Sequence, residues 1–267
     1  MNDIDAYCSR MRKSVCEKLF FLDRDEFKNC NTIIDFGCAD GSLISEMKQI
    51  FPQKTYIGVD NNPNMRKLAN SKLDGSVKIY RNLQEIKEVC TPVGVILSSV
   101  LHEVFTFYSN KKIRELLTEI ASISDFVFVR DMLSPSSYVS QLSIYSVNRR
   151  NVEKHPLWWS FYKKWGNFTI GTDFISVRDA MHFFLKSKYE NNWRSENKEN
   201  YFSVDWSEIK YIFYSNMFQC SYKNDYTNQF IKSDIMERFN FKVEFPTHRQ
   251  MILQRKIYIP QQELYAN

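Results

Sequence analysis

Over the first 133 residues, short apolar runs alternate with amphipathic stretches. Val15, Leu19, Phe20 and Leu22 recur at roughly helical spacing among charges, so residues 1–29 read as helical. Thr32–Phe36 is a β-branched run stopped by Gly37, the pattern of a buried strand and a turn. Leu43, Ile44, Met47, Ile50 and Phe51 then predict an amphipathic helix over 42–51, ended by Pro52. Further strands are expected at 55–59, 77–80, 93–98 and 125–130, with helices at 64–73 and 111–123 between them. Beyond residue 133 the alternation gives way to aromatic helices and loops. Strand-like pattern returns only at 241–245 (FKVEF) and 251–256 (MILQRK), which predict an antiparallel hairpin turning at Pro246–Arg249.

Strands alternating with helices imply right-handed crossovers. The expected fold is therefore α/β: a doubly wound, mostly parallel seven-stranded sheet with a closing antiparallel hairpin. An aromatic-rich, mainly helical insertion accompanies it. The expected division is 1–133 plus 241–267 for the sheet domain, with 1–29 as an N-terminal helical segment, and 134–240 for an insertion that caps a substrate site. All five Trp residues fall within 134–240, which is aromatic without being strongly basic.

Composition narrows the class. The 267 residues carry 36 Lys+Arg against 31 Asp+Glu, a net charge of +5, with 43% hydrophobic and 25% charged residues. That balance belongs to a globular chain and argues against disorder or a coiled coil. No apolar run approaches the roughly 18 residues that a membrane span needs. The start of the chain lacks the apolar core of an export signal, so a cytoplasmic setting with reduced thiols is expected. The six Cys form no CxxC pair, which disfavours zinc and a disulfide framework; no metal is expected. The oligomeric state is not legible.

The first strand–loop–helix reads Asp35-Phe36-Gly37-Cys38-Ala39-Asp40-Gly41-Ser42, and Asp60 ends the second strand. Glycines at such a turn let backbone approach a ligand, and ligands of open α/β sheets sit beyond the carboxyl ends of the strands. An acid at the end of the second strand is placed to hold the two hydroxyls of a ribose. A dinucleotide fingerprint would space its glycines GxGxxG and place pyrophosphate at a helix N-terminus. Here the spacing is GxxxG with Asp40 inside the loop, where its carboxylate would repel a pyrophosphate.

IIDFGCADGSL followed by YIGVD resembles the first two motifs of the class I S-adenosylmethionine-dependent methyltransferases. The resemblance covers 31–133 well, covers the 241–256 hairpin loosely, and leaves the insertion uncovered. It implies S-adenosylmethionine as cofactor. Gly37, Cys38, Ala39 and Gly41 would lie along its amino-acid part, Asp35 would anchor the loop, and Asp60 would bind the ribose. Ala39 stands where the family loop has its middle glycine. By position, Asn61 would line the ribose and adenine edge, Asn82 and Leu83 the adenine, and Ser98 the cofactor side of the fourth strand's end. Ser98-Ser99-Val100-Leu101-His102-Glu103 is similar to the VLHE-type segments of small-molecule and some tRNA methyltransferases. His102 is the candidate general base, since an unperturbed imidazole titrates near neutrality; Glu103 would orient it or take the proton itself. Helix capping and packing are the structural alternatives for both.

Arg130 and Asp131, at the end of the fifth strand, are candidates to hold a polar acceptor group, with a mutual salt bridge as the alternative. Trp158 and Trp159 are candidate substrate contacts in the insertion. Those aromatics can also form a core or a lid, or stack on nucleic acid. The implied function is methyl transfer to O or N of a small-molecule acceptor. The alternatives are an RNA methyltransferase, with Trp158, Trp159, Lys163, Lys164 and Arg194 on the nucleic-acid path, and a non-catalytic cofactor-binding subunit. SSVL after the fourth strand lacks the Pro-Pro-Tyr-type tetrapeptide of amino-group DNA methylases. Cys90 precedes that strand, so no Pro-Cys nucleophile follows it.

Overall fold

In the computed structural model, residues 15–137, 146–166 and 174–256 are described. The start of the chain, part of the insertion and the last residues of the expected 241–267 segment lie outside them. A seven-stranded sheet organises the rest. In chain order its strands are β1 (Thr32–Phe36), β2 (Thr55–Val59), β3 (Lys78–Tyr80), β4 (Val93–Ser98), β5 (Phe126–Met132), β8 (Phe218–Tyr226) and β9 (His248–Arg255). Their spatial order is β3-β2-β1-β4-β5-β9-β8, and only β9 runs antiparallel to its neighbours. The sequence reverses direction across the sheet between β1 and β4, so the crevice where ligands of such folds bind opens at their carboxyl ends.

The crossover helices follow from the apolar spacing. Helix α3 (Ser42–Ile50) buries Leu43, Ile44 and Met47 on one face. Helix α4 (Pro63–Lys72) starts with Pro at its first turn and Asn62 as N-cap, which accepts a hydrogen bond from the Asn64 amide. Helix α6 (Asn110–Ile123) is capped by Ser109 and buries Ile113, Leu117 and Ile120. Successive strand residues point to opposite faces. Ile34, Val95 and Val129 accordingly join one core layer with α6, while Ile33, Ile96 and Phe128 join the other with Phe21, Phe27 and Met47.

The elements depart from the expected ones in three places. Residues 15–29 hold two short helices, α1 (Val15–Lys18) and α2 (Asp25–Lys28), divided by a turn. A seven-residue helix, α5 (Leu101–Phe107), follows β4 directly. The sheet closes with an antiparallel pair as expected, but β9 takes β8 as its partner and Phe241–Phe245 forms no strand. The latter segment leaves α12 (Gln229–Phe239) through Asn240 in the left-handed region and buries Val243 and Phe245 in a separate aromatic core. Its alternation reports burial; the sheet edge it would need is already paired with β8.

The aromatic stretch divides between two cores. Helix α11 (Trp206–Ser215) packs Ile209, Ile212 and Phe213 with Phe218 onto the sheet. The remainder comprises a two-stranded sheet, β6 (Ser146–Asn148) and β7 (Phe174–Ser176), with helices α7 (Arg150–Glu153), α8 (Trp158–Trp165), α9 (Val177–Ser187) and α10 (Trp193–Glu196). It forms the separate core around Trp158, Phe161, Phe183 and Phe184, completed by Ile231, Ile235 and Phe239 from α12.

Candidate functional site

The β1–α3 loop is held by its own chain. Gly37 and Gly41 adopt φ of +79° and +74°, which favours glycine. A Cβ on Gly37 would come within 2.7 Å of Val100 Cγ2, and one on Gly41 within 2.8 Å of Leu73 Cδ1. Space that the sequence suggested for a ligand is thus partly taken by protein side chains. Ala39 also lies in the left-handed region, at φ +48°, and its amide donates to Asp60 Oδ2 at 2.9 Å. Asp60 Oδ1 accepts from the Asn62 amide at 2.8 Å, so this carboxylate ties the loop to the end of β2. Asp40 turns back onto the Ser42 amide and hydroxyl and pairs with Lys72. Burial opposes its charge, but Lys72 and Ser42 outweigh it and lower the Asp40 pKa.

Asp35 is buried under the loop, 3% exposed. Burial, with Asp60 and Asp40 nearby, pushes its pKa up to about 7 against the pull of Lys18. Cys38 is buried and its thiol pushed up by that burial, as a small packing residue would be. Ser98 Oγ and Asn82 Oδ1 are buried without a hydrogen-bond partner among the described residues. Such orphans are uncommon and call for an account. Leu83 sits in the sheet core, and Asn61 is exposed at the turn after β2. A pocket of about 30 Å³ lies against the loop, lined by Asp35, Gly37, Ser98 and Lys18 among others.

A larger cavity, about 400 Å³, opens beside it along the carboxyl edge of β4 and β5. Lys18 lines both spaces. Asp131, fully buried, organises this edge. Its Oδ2 accepts from the Leu101 amide at 2.8 Å and the His102 amide at 3.3 Å, capping α5 from across the sheet. Its Oδ1 accepts from the Met132 amide at 2.7 Å and meets His102 Nδ1 at 2.8 Å. Asp131 was expected to hold an acceptor; its oxygens are turned towards these protein groups, and it does not line the cavity. Nor does it pair with Arg130, whose guanidinium donates to Ser99 Oγ at 2.6 Å and Tyr226 Oη at 3.1 Å. Glu17 stands 3.6 Å from Arg130 Nη2.

His102 lines the cavity with Nε2 3.6 Å from Glu199 Oε2. Burial depresses its basicity, but the Asp131 carboxylate, aided by Glu199, outweighs burial and lifts the pKa well above 6.5. This environment favours the protonated ring, the form with no lone pair for a proton. The expectation of His102 as general base assumed an unperturbed ring, and the Asp131 carboxylate makes this ring a perturbed one. Glu103, on the next residue, lines the cavity and is exposed as a residue. Burial, with Glu199 and Glu196 nearby, pushes it up to about 7 despite His102. Its titration falls where a proton acceptor is most useful.

Trp158 and Trp159 do not line the cavity. Trp158 is wholly buried in the aromatic core, against Phe161 and Phe183, while Trp159 is 48% exposed on the outside of α8. His182 is packed among rings and accepts from the Tyr201 amide at 3.3 Å. His248 opens β9, opposite Met132 of β5, and lines the cavity. The sequence reading missed Lys18, Lys188, Glu196, Glu199 and Tyr201, all on the cavity wall. Only Lys18 left a local trace, a charge beside the apolar positions of its helix.

No family model matches the chain, and no curated protein matches it by sequence. Solved structures do. One is an O-methyltransferase family protein from Burkholderia thailandensis, with TM-score 0.53 and 15% identity, covering 95% of this chain and 59% of that one. Another is PKMT2 from Rickettsia typhi in complex with AdoHcy, with TM-score 0.52 and 12% identity, covering 92% and 52%. The chain has the class I methyltransferase fold. At these identities the likeness is one of fold, and this chain spans little more than half the length of either protein. Among the described residues of this methyltransferase fold, no helix is long and apolar enough to cross a membrane.

Proposed function

We propose that the chain is an S-adenosylmethionine-dependent methyltransferase acting on O or N of a small-molecule acceptor held in the 400 Å³ cavity. One observation carries this reading: the loop at the end of β1, tied to Asp60 at the end of β2, adjoins a cavity walled by His102 and Glu103. The chain's own polar atoms suit the cofactor. Ser98 Oγ and Asn82 Oδ1, at two of the positions expected to meet it, are buried without a hydrogen-bond partner among the described residues. Asp60 retains acceptor capacity for a ribose hydroxyl, since an ionised carboxylate has about four lone-pair sites. Asp35, deprotonated, would meet the cofactor's ammonium. The pocket at the loop is only about 30 Å³, so seating the amino-acid tail there requires side chains that line it to move.

When bound, the cofactor supplies a methyl group on a positively charged sulfur. The protein's share is alignment and proton handling. Glu103 accepts the acceptor's proton. His102, whose protonated form Asp131 favours, steadies the charge that Glu103 and Glu199 carry. Cavity size favours a small molecule over RNA: the interior position of Trp158 removes half of the aromatic pair that a stacking platform would use. Calorimetry with S-adenosylhomocysteine tests the reading. Wild type should bind, and Asp60→Ala should bind roughly 10- to 100-fold more weakly, the scale of lost charge-assisted hydrogen bonds. Equal affinities would remove the cofactor assignment.

A further inference from the structure

The chain between α10 and α11 crosses from the aromatic core to α5, and both ends of the crossing are tied. Trp165 Nε1 donates to the Asn197 carbonyl at 2.9 Å, and Asn197 Nδ2 donates to the Ser160 carbonyl at 3.2 Å, which fixes the start to α8. The Asn200 amide donates to Thr106 Oγ1 at 2.8 Å and Ser203 Oγ to the His102 carbonyl at 2.9 Å, which fixes the end to α5. Glu199 lies between these anchors. Its carboxylate reaches the site, with Oε2 3.6 Å from His102 Nε2.

Lys186 of α9 meets this crossing from the core side. It is wholly buried, it lies outside the cavity lining, and its ammonium donates to the Glu199 carbonyl oxygen. The ammonium also stands 4.7 Å from the Trp165 ring centroid and 5.1 Å from that of Tyr201. Lysine is almost never fully buried unless it is paired, and burying its charge is costly. Burial pushes its pKa down to about 7, against the pull of Glu199 and Glu196. An apolar side chain would fill the same space without that cost, so what the ammonium adds is its bond to residue 199. A carbonyl held in one direction fixes the backbone rotation of its own residue. With the next amide tied to Thr106, the Glu199 side chain is left facing His102.

We propose that Lys186 is a positioning residue of the site: by holding the Glu199 carbonyl it aims the Glu199 carboxylate at His102. That this wall serves an acceptor rests on the methyltransferase reading; the placing of Glu199 does not. The charged and titratable groups around His102 are Asp131 of β5, Glu103 on its own helix, Glu196 and Glu199 of the crossing, His182 of α9 and His248 of β9. The sign of the effect separates two roles for Lys186. Losing an aimed carboxylate disfavours the protonated ring, so the His102 titration midpoint falls. Losing a nearby positive charge, with Glu199 still in place, favours the protonated ring, so the midpoint rises.

The test reads the His102 ring in the full chain. NMR with ¹³C-labelled histidine follows each ring through pH, and His102→Gln identifies the His102 signal by its loss. Glu199→Gln should lower the midpoint by about one pH unit, the scale on which a carboxylate within about 4–6 Å acts. Lys186→Met should lower it in the same direction by at least about half as much, and the double variant should fall no further than Glu199→Gln alone. A midpoint that stays put or rises in Lys186→Met, whatever happens to thermal stability, would overturn the proposal. So would falls that add in the double variant, since Lys186 would then act other than through Glu199. Should Lys186→Met not fold, Glu199→Gln still decides, because its partly exposed side chain can be changed without emptying the core. An unmoved His102 midpoint there would mean that Glu199 is not aimed at the ring. These titrations need neither cofactor nor turnover. Failure of S-adenosylhomocysteine to bind wild type would therefore remove the methyltransferase reading and leave the positioning role standing.

Discussion

The two sides of the crevice are built in opposite ways. The loop side is local: Asp35 to Ser42 and Asp60 lie within one β-α-β unit, and the bonds from the Ala39 amide to Asp60 and from Ser42 to Asp40 close it. The cavity side is assembled from α1, α5, β5, the segment from Lys188 to Tyr201, and β9. Its central bond, Asp131 to His102, joins residues 29 apart, and the contact from His102 to Glu199 joins residues far more distant. A locally closed loop tolerates change elsewhere in the chain. A cavity wall built from distant segments fails when one joint is cut, and Asp131 joins β5 to α5, whose His102 in turn meets Glu199.

The largest effect should therefore come from Asp131→Ala. It leaves the His102 imidazolium and the first amides of α5 without their buried partner. Breaking a buried charged pair costs about 3–5 kcal/mol. Chemical denaturation should show a loss of that size, and methyl transfer should fall with it. A loss under about 1 kcal/mol, within the range of an ordinary hydrogen bond, would place the organising centre elsewhere.

Glu103→Gln sharpens the contrast by leaving the fold intact while removing the proton acceptor. General-base loss costs roughly 10²–10⁴ in rate. The wild-type rate should rise with pH through about 7, the value to which burial and its acidic neighbours push Glu103. The variant should lose that rise. An unchanged pH profile in Glu103→Gln would return the base role to another group.

On the loop side, Asp35→Asn tests charge rather than packing. Burial raises the Asp35 pKa from its model-compound value of 3.8 to about 7 in the fold. The native state thus binds the proton more tightly than the unfolded chain does. That contribution to stability is fully present below about pH 4 and is lost as pH rises through about 7. At pH 8 the cofactor-free Asn variant should be more stable than wild type, by up to a few kcal/mol on the linkage scale. It should also bind S-adenosylhomocysteine more weakly. Thermal midpoints across pH 4–8 decide it: parallel curves for the two proteins would mean that Asp35 carries no such penalty.

The same local-versus-distant contrast explains what was legible in the sequence. Strands β2 and β4 fall on the expected boundaries because buried parallel strands are continuous apolar runs. The loop motif was legible because every partner it needs lies within one strand–helix unit. Strand β8 was not: its buried and exposed residues alternate irregularly around the bulge between Cys220 and Tyr222, within a stretch whose aromatics suggested helices. His102 was found, but not its environment: the charges that raise its pKa belong to Asp131 and Glu199, which only the fold brings near. Lys188 and Glu199 carry no motif at all.

The smallest effect is expected at Trp159. Sequence pattern paired it with Trp158 as a substrate contact, yet it projects from α8 to solvent while its neighbour fills the core. Exposed substitutions away from caps and networks change stability by about 0.5 kcal/mol or less. Trp159→Ala should therefore leave the thermal midpoint, S-adenosylhomocysteine affinity and transfer to small acceptors near wild type. Trp158→Ala should cost about 3–5 kcal/mol as a large cavity in a packed core. Were Trp159→Ala to weaken salt-dependent binding to single-stranded RNA several-fold, α8 would be a nucleic-acid surface, and the small-molecule assignment of the cavity would have to yield.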